Sequence, residues 1–172
     1  MSRSTSSGAG MGDAEVIEVA TPEAMEALGG SVARMLRAGD VLVLSGDLGA
    51  GKTTFTRGLG EALGVRGPVT SPTFVLARTH PNLGDGPALV HVDAYRLDSA
   101  LELDDLDIDF ARSVVVVEWG EGLIEALAES YLAVRIDRPH GAAPVLGSSA
   151  SEGEEPIEPR SVTVRRVGPR WR

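Results

Sequence analysis

The sequence predicts a single α/β domain, and three features of the chain indicate this class. Residues 41–44 and 114–117 are continuous apolar runs, which is typical of parallel strands buried on both faces. Apolar residues at helical spacing follow the first run, with Phe55, Leu59 and Leu63 four positions apart. The 172 residues are enough for one hydrophobic core, which we assign to residues 13–172.

A disordered tail, a strand and a helix are predicted before the first buried strand. Residues 1–12 are rich in serine and glycine and predict a disordered tail. Residues 15–19 alternate polar and apolar side chains, which favours an edge strand. Thr21, followed by a proline and an acid, is a typical helix start, and the apolar stripe behind it predicts a helix to about Arg37. The glycine pair 29–30 inside this helix indicates either close packing or a mobile segment.

The remaining elements follow the first buried strand. We predict a helix over 54–63, strands over 75–77, 88–92 and 113–117, a helical turn over 124–127, and a terminal strand pair over 131–136 and 162–167. The short, turn-rich connection between the strands 75–77 and 88–92 favours antiparallel neighbours. Residues 101–109 alternate leucine or isoleucine with acids, which indicates either a solvated acidic face or a docking surface for a basic partner. Residues 139–160 are rich in Gly, Ser, Pro and Glu and predict a flexible loop.

Composition narrows the classes of function. The chain has no cysteine, which excludes a disulfide framework and a thiolate metal site. No apolar run approaches the roughly 20 residues needed to cross a bilayer, and we expect a cytoplasmic protein without membrane contact. The formal net charge of −9 disfavours unaided binding of nucleic acid. Any role with RNA should therefore depend on a partner that supplies a basic surface.

Residues 46–53 match the P-loop pattern of a glycine, four free positions and Gly-Lys-Thr. The apolar run before the loop and the helix after it supply the strand–loop–helix context of a phosphate site. Glycines let the main chain approach a phosphate, and successive N–H groups then point at the anion. The predicted nucleotide-binding residues are Gly46, Asp47, Leu48, Gly49, Ala50, Gly51, Lys52, Thr53 and Thr54.

Charged and hydroxyl groups in and around this loop predict the chemistry. Lys52 is expected to bind the β- and γ-phosphates, and the Thr53 hydroxyl is expected to ligate Mg²⁺. Lys52 is the only lysine in the chain, as expected where a compact point charge is needed and the planar fork of an arginine is not. The chain has no glutamine and one asparagine, Asn82, so the guanine-selecting Asn-Lys-x-Asp motif and a water-positioning glutamine are impossible. We therefore predict ATP and Mg²⁺ as the ligands.

Two acids follow predicted strands, at the sheet edge where α/β proteins place their sites. Hydrolysis needs a carboxylate at the metal and a group that orients water. We predict Glu118 for the metal and Asp93 for the water or for a switch, with a helix cap or a surface ion pair as the alternative for each. Ser71 and Thr73 lie where switch segments usually occur, although they could be ordinary turn residues. Trp119 could stack on a base or a partner, or could simply pack.

Four blocks of sequence, taken in order, resemble the TsaE family. They are residues 46–54, 71–74, 91–97 and 117–121, within a resemblance that spans about residues 15–127. The resemblance implies a P-loop NTPase-like three-layer sandwich whose sheet is mainly parallel with antiparallel edge strands. By position, Lys52 would bind phosphate, Thr53 and Glu118 would hold Mg²⁺, and Asp93 would support hydrolysis.

The resemblance also implies a biological role. The chain would be the ATPase of the complex that installs threonylcarbamoyl on adenosine next to the anticodon of tRNA. Its partners would be TsaB and TsaD homologues, with tRNA reached only through the complex, and hydrolysis would reset the TsaB–TsaD complex. Two alternatives remain open: a small-molecule P-loop kinase, and a nucleotide-gated binding module whose turnover is incidental.

Overall fold

The computed structural model describes residues 3–6, 14–47, 49–67, 69, 77–95, 97, 102–103, 106–138 and 159–171, here termed the described residues. The strands are β1 (Arg3–Ser6), β2 (Ala14–Val19), β3 (Val41–Gly46), β4 (Ala77–His80), β5 (Ala88–Asp93), β6 (Ser113–Glu118), β7 (Tyr131–Asp137) and β8 (Arg160–Val167). The helices are α1 (Pro22–Ala33) and α2 (Lys52–Leu63), and short 3-10 turns occupy Ile124–Ala126 and Pro169–Trp171. None of the helices in the described part of the chain is long and apolar enough to cross a membrane.

All eight strands join one sheet, in the order β1-β2-β8-β7-β3-β6-β5-β4. The four central strands β7, β3, β6 and β5 run parallel, and the pairings outside them are antiparallel. The predicted α/β class is confirmed, with the parallel part confined to the centre of the sheet. Because β3, β5, β6 and β7 run in the same direction, their carboxyl ends meet at one edge.

Several predicted boundaries are corrected. Strand β2 is not an edge strand, because Arg3–Ser6 pairs with it. The tail prediction is therefore wrong for Arg3–Ser6, and the other residues of 1–12 lie outside the described residues. Helix α1 ends at Ala33 and not near Arg37, because the N–H groups of Met35 and Leu36 donate to carbonyls three residues back, which tightens the chain into a turn.

The later elements agree more closely with the prediction. Strand β4 begins at Ala77, the last residue of the predicted strand, and residues 75–76 lie outside the described residues. Strands β4 and β5 are antiparallel neighbours, as are β7 and β8, so both predicted pairs are confirmed. Residues 139–158 also lie outside the described residues, but Arg160 is the first residue of β8 and not part of a loop.

Each face of the sheet carries its own apolar core. Helices α1 and α2 cover one face, where Phe55 and Leu59 are fully buried. On the opposite face, Leu103 and Ile124 are fully buried against alternate residues of β6. The acids Glu102, Asp107 and Asp109 are exposed. This arrangement fits the solvated acidic face, and the docking surface stays a prediction.

Helices α1 and α2 touch through glycines at their crossing. A Cβ added to Gly29 would overlap the carbonyl oxygen of Phe55, and one added to Gly58 would overlap that of Glu26. The two backbones can approach this closely only because neither glycine has a side chain. Of the two interpretations of the glycine pair, close packing is confirmed at Gly29.

The two adjacent glycines predict opposite effects of alanine. Gly29→Ala is expected to lower the free energy of unfolding by about 1–3 kcal/mol, the usual cost of overpacking. Gly30→Ala places its methyl group 3.6 Å from Cβ of Ala62, an ordinary contact. It should raise the free energy of unfolding by up to about 1 kcal/mol, since alanine favours a helix over glycine. Urea unfolding of both variants checks this, and equal stabilities would contradict the close crossing.

Candidate functional site

Strand β3 carries the chain to the carboxyl edge of the sheet, where the predicted phosphate-binding loop begins. Its first four residues are buried, and the chain then turns at Gly46. The φ angles of Gly46, Gly49 and Gly51 are +155°, +79° and +114°, values that residues with a side chain rarely adopt. A Cβ at Gly46 would also lie 2.7 Å from the carbonyl oxygen of Ile136. The backbone conformation therefore requires glycine at all three positions, as predicted. Leu48, between the first two of them, lies outside the described residues.

The N-terminus of α2 has no side-chain cap. Its N-cap residue is Gly51, which offers no side-chain oxygen to the N–H groups of the first turn. Helix α1 is different, because Oγ1 of Thr21 accepts a hydrogen bond from the Ala24 N–H at 3.1 Å. An anion at α2 would replace the missing cap and lie at the positive end of the helix dipole.

The Lys52 ammonium lies at the mouth of this loop. Lys52 is only 9% exposed, and its Nζ donates to the carbonyl oxygen of Gly46 at 2.6 Å. The same ammonium lies 4.3 Å from the centroid of the Trp119 ring, within the range of a cation–π contact. The charge is thus held close to the first turn of α2, where it can meet an anion bound by the loop.

Glu118 ends β6 as a buried carboxylate, 5% exposed, with a buried partner. Its Oε2 lies 2.9 Å from Nε2 of the fully buried His91. Nδ1 of His91 has no hydrogen-bond partner among the described residues, so we place the ring proton on Nε2, which donates to the carboxylate. The predicted alternatives of a helix cap or a surface ion pair are therefore wrong for Glu118.

Asp93 and Glu118 are neighbours across β5 and β6. The two residues are paired in the parallel register, so their side chains leave the same face of the sheet, which is the face covered by α2. Oδ1 of Asp93 accepts a hydrogen bond from the Tyr95 N–H at 3.0 Å, which shapes the turn after β5. The fold thus brings both predicted acids to the edge where the loop and Lys52 lie.

Trp119 stands at the mouth of the site. Its φ is +61°, in the left-handed region that non-glycine residues seldom occupy and that is frequent at functional sites. Its side chain is 43% exposed, and its ring meets that of Tyr95 edge to face at a centroid distance of 5.4 Å. Trp119 therefore lies outside the hydrophobic core but packs against Tyr95 and Lys52, and stacking on a base or a partner stays a prediction.

A polar cleft adjoins the loop on the face opposite α2. Its volume is about 270 Å³, and its lining residues are Ser45, Gly46, Asp47, Trp119, Glu121, Arg135 and Asp137. The Ser45 hydroxyl donates to Oε1 of Glu121 at 2.7 Å. Arg135 donates to Oδ1 of Asp137 at 3.1 Å, and this hydrogen bond is the main reason that the pKa of Arg135 is raised. The cleft offers charged and hydroxyl groups to whatever part of a ligand extends past the loop.

Sequence reasoning missed two residues that contact the site. His91 lies within the predicted strand 88–92 and was assigned no role, although its position two before Asp93 places it on the face that carries both acids. Arg160 gave no signal, since it closes a segment predicted to be a loop, yet it contacts the residues 49–50. The predicted switch residues Ser71 and Thr73 lie outside the described residues.

Comparison with known proteins gives a consistent result. A family model described as "Threonylcarbamoyl adenosine biosynthesis protein TsaE" matches residues 19–143. The chain belongs to the TsaE family. A TsaE protein of Streptomyces coelicolor is 58% identical over 150 residues, covering 86% of this chain and 93% of the relative. The TsaE protein of Bacillus subtilis is 42% identical over 120 residues, covering 68% of this chain and 73% of the relative.

The structural comparison agrees with the family assignment. A crystal structure of YdiB from Bacillus subtilis superposes with a TM-score of 0.68 at 33% identity, covering 94% of this chain and 90% of that chain. Membership of the TsaE family places the chain in tRNA threonylcarbamoyladenosine biosynthesis. The family match ends at residue 143 and therefore does not include β8.

Proposed function

We propose that this TsaE-family chain is an Mg²⁺-dependent ATPase that acts in the complex installing threonylcarbamoyl on adenosine next to the anticodon of tRNA. The proposed ATPase activity rests on one observation, the arrangement around the N-terminus of α2. This N-terminus has no side-chain cap, it follows a loop whose glycines have positive φ, and the Lys52 ammonium lies at the mouth of that loop. Backbone N–H groups, a helix dipole and a point charge converge on one place, which is the chemistry of polyphosphate binding.

The oxygen donors near the loop fit magnesium. Mg²⁺ prefers oxygen ligands and is usually held by one or two carboxylates together with the phosphates of its nucleotide. Glu118 supplies a carboxylate whose orientation His91 restrains, and Thr53 supplies a hydroxyl in the first turn of α2. When bound, the ion would neutralise charge on the phosphate oxygens.

Lys52, the loop amides and Asp93 each have a separate role in the proposed hydrolysis of ATP. Water attacks the γ-phosphorus, the bond to the β–γ bridging oxygen breaks, and ADP and phosphate leave. Lys52 stabilises negative charge on the phosphates, and the amides of the loop hold them in place. Asp93 lies beside Glu118 at the same edge of the sheet, where its carboxylate can orient the water.

We further propose that TsaB and TsaD homologues are the partners and that hydrolysis resets their complex. The net charge of −9 disfavours direct contact with tRNA, so the partners would supply the basic surface. Tyr95 and Trp119 form an exposed edge-to-face pair, and the Trp119 ring contacts the Lys52 ammonium, so a protein docked there could sense the nucleotide. Aromatic residues of this kind are frequent anchors of protein interfaces.

Phosphate release from Mg·ATP, with and without the two partner proteins and substrate tRNA, tests the proposal. We expect slow release by the chain alone and a changed rate in the presence of the partners. A phosphorylated metabolite in place of free phosphate would identify a kinase. Glu118→Ala and Asp93→Ala variants that both keep hydrolysis but lose partner binding would identify a gated binding module. No effect of partners or tRNA on rate or assembly would contradict the proposed role.

A further inference from the structure

Strand β8 brings a guanidinium group to the outer side of the phosphate-binding loop. Nε of Arg160 donates to the carbonyl oxygen of Ala50 at 3.1 Å, and its Nη2 lies 3.4 Å from the carbonyl oxygen of Gly49. Both acceptors are main-chain atoms of the loop itself, so the contact acts on loop conformation whatever side chains the loop carries.

The antiparallel direction of β8 explains why an arginine so far along the chain reaches this loop. Arg160 pairs with Val19 at the end of β2, and Ser161 pairs with Asp137 at the end of β7. Since β7 is parallel to β3, the start of β8 lies at the edge where β3 ends. Side chains along a strand alternate between the two faces of the sheet, so Arg160 lies on the same face as Val162. Val162 packs in the core beneath α1 and α2.

The hydrogen bond to Ala50 orients the next N–H group. In a trans peptide the carbonyl and the N–H point in opposite directions, so a carbonyl held outward by Arg160 directs the Gly51 N–H away from the arginine. Gly51 is the N-cap of α2, at φ +114°, and as a glycine it has no side chain that could hold this conformation. The donor is a charged group, which makes the hydrogen bond stronger than a neutral one.

A second guanidinium lies on the same side of the loop. Nη1 of Arg138 is 3.7 Å from the position that a Cβ of Gly49 would occupy. The outer wall of the loop is therefore lined by two arginines, one from the end of β7 and one from the start of β8. Arg160 donates the hydrogen bonds to the loop carbonyls given above.

We infer that Arg160 is a positioning residue that holds the loop in its phosphate-binding conformation through the carbonyls of Gly49 and Ala50. The inference rests on the proposed nucleotide binding, and it assigns a role to a strand outside the family match. Arg160 acts through the backbone and is not assigned a contact with the phosphates.

Three variants test the inference. Arg160→Gln removes both the positive charge and the planar guanidinium group. Arg160→Lys keeps the charge but replaces the guanidinium group by an ammonium group. Arg166→Gln is the matched control, because Arg166 lies on the same strand and the same face, is similarly half-buried, and contacts Met35 away from the loop. Amide hydrogen exchange of the loop is measured without nucleotide, and the Kd for Mg·ADP is measured by calorimetry.

We expect Arg160→Gln to speed exchange of the amides of residues 49–52 and to weaken Mg·ADP binding. Each effect should be at least about tenfold, since the loss of even one hydrogen bond from a charged donor has that effect. Arg160→Lys should lie between this variant and the parent chain, and it provides the test if Arg160→Gln does not fold. Arg166→Gln should stay within about twofold of the parent chain in both measurements, as for a surface change away from the site.

Two results would overturn the inference. Weaker Mg·ADP binding with unchanged exchange would mean that Arg160 contacts the ligand and does not position the loop. Unchanged exchange and unchanged binding in Arg160→Gln would mean that the contact has no effect. If the parent chain itself binds no Mg·ADP, the proposed function fails, while the exchange measurement still reports on Arg160 and the loop.

Discussion

Lys52→Ala is expected to weaken Mg·ATP binding by about 10- to 100-fold, the equivalent of one hydrogen bond to a charged group, and to reduce phosphate release to background. The ammonium is the cation held against the loop by the Gly46 carbonyl and the Trp119 ring. Lys52→Arg should not restore activity, because Lys52 is only 9% exposed and a planar guanidinium is larger than the compact ammonium that it would replace.

The sole lysine makes this prediction measurable on the parent chain as well. An amine-reactive reagent can modify only Lys52 and the N-terminal amine, so mass spectrometry of the peptide that contains Lys52 reports one site. Mg·ATP should protect this site from modification, and adenosine, which has no phosphate, should not. Equal modification with and without Mg·ATP, or a Kd of Lys52→Ala within about twofold of the parent value, would contradict the assignment.

Glu118→Gln and Glu118→Ala are expected to separate the metal role of this residue from its structural role. Both variants lose the carboxylate charge, and we expect phosphate release to fall by at least about 100-fold in each, the usual loss for one electrostatic contact to the transition state. Only the alanine variant leaves Nε2 of the fully buried His91 without an acceptor. It should therefore lose about 1–3 kcal/mol of the free energy of unfolding, whereas the glutamine amide oxygen keeps the hydrogen bond.

Urea unfolding and the Mg²⁺ dependence of phosphate release check the two halves of this prediction. The glutamine variant should unfold close to the parent midpoint, and neither variant should recover activity at saturating Mg²⁺. Near-parent hydrolysis in Glu118→Gln would remove Glu118 from the metal site. Equal stability of the alanine and glutamine variants would mean that the His91 contact contributes nothing to the fold.

Local patterns were enough to predict most of the central fold. The continuous apolar runs at β3 and β6 predicted buried parallel strands, and the strand–glycine–helix order predicted the loop, because such patterns depend on neighbours along the chain. The prediction failed at the flank of the sheet. A pairing between Arg3–Ser6 and β2 is set by two strand edges meeting in space, which alternation in either segment alone does not reveal.

In the candidate site, too, some features follow from local sequence patterns and others depend on the tertiary structure. The sequence by itself determined the position of the glycine-rich loop, its lysine and the two acids, since each is a residue type at a fixed distance from a strand end. Only the tertiary structure decided that His91 donates to Glu118, that Lys52 lies over Trp119, and that Arg160 contacts the loop from β8. These contacts join segments up to 111 positions apart. The order and direction of the strands in the sheet determine which residues meet in these contacts, and short-range spacing in the sequence does not encode that order.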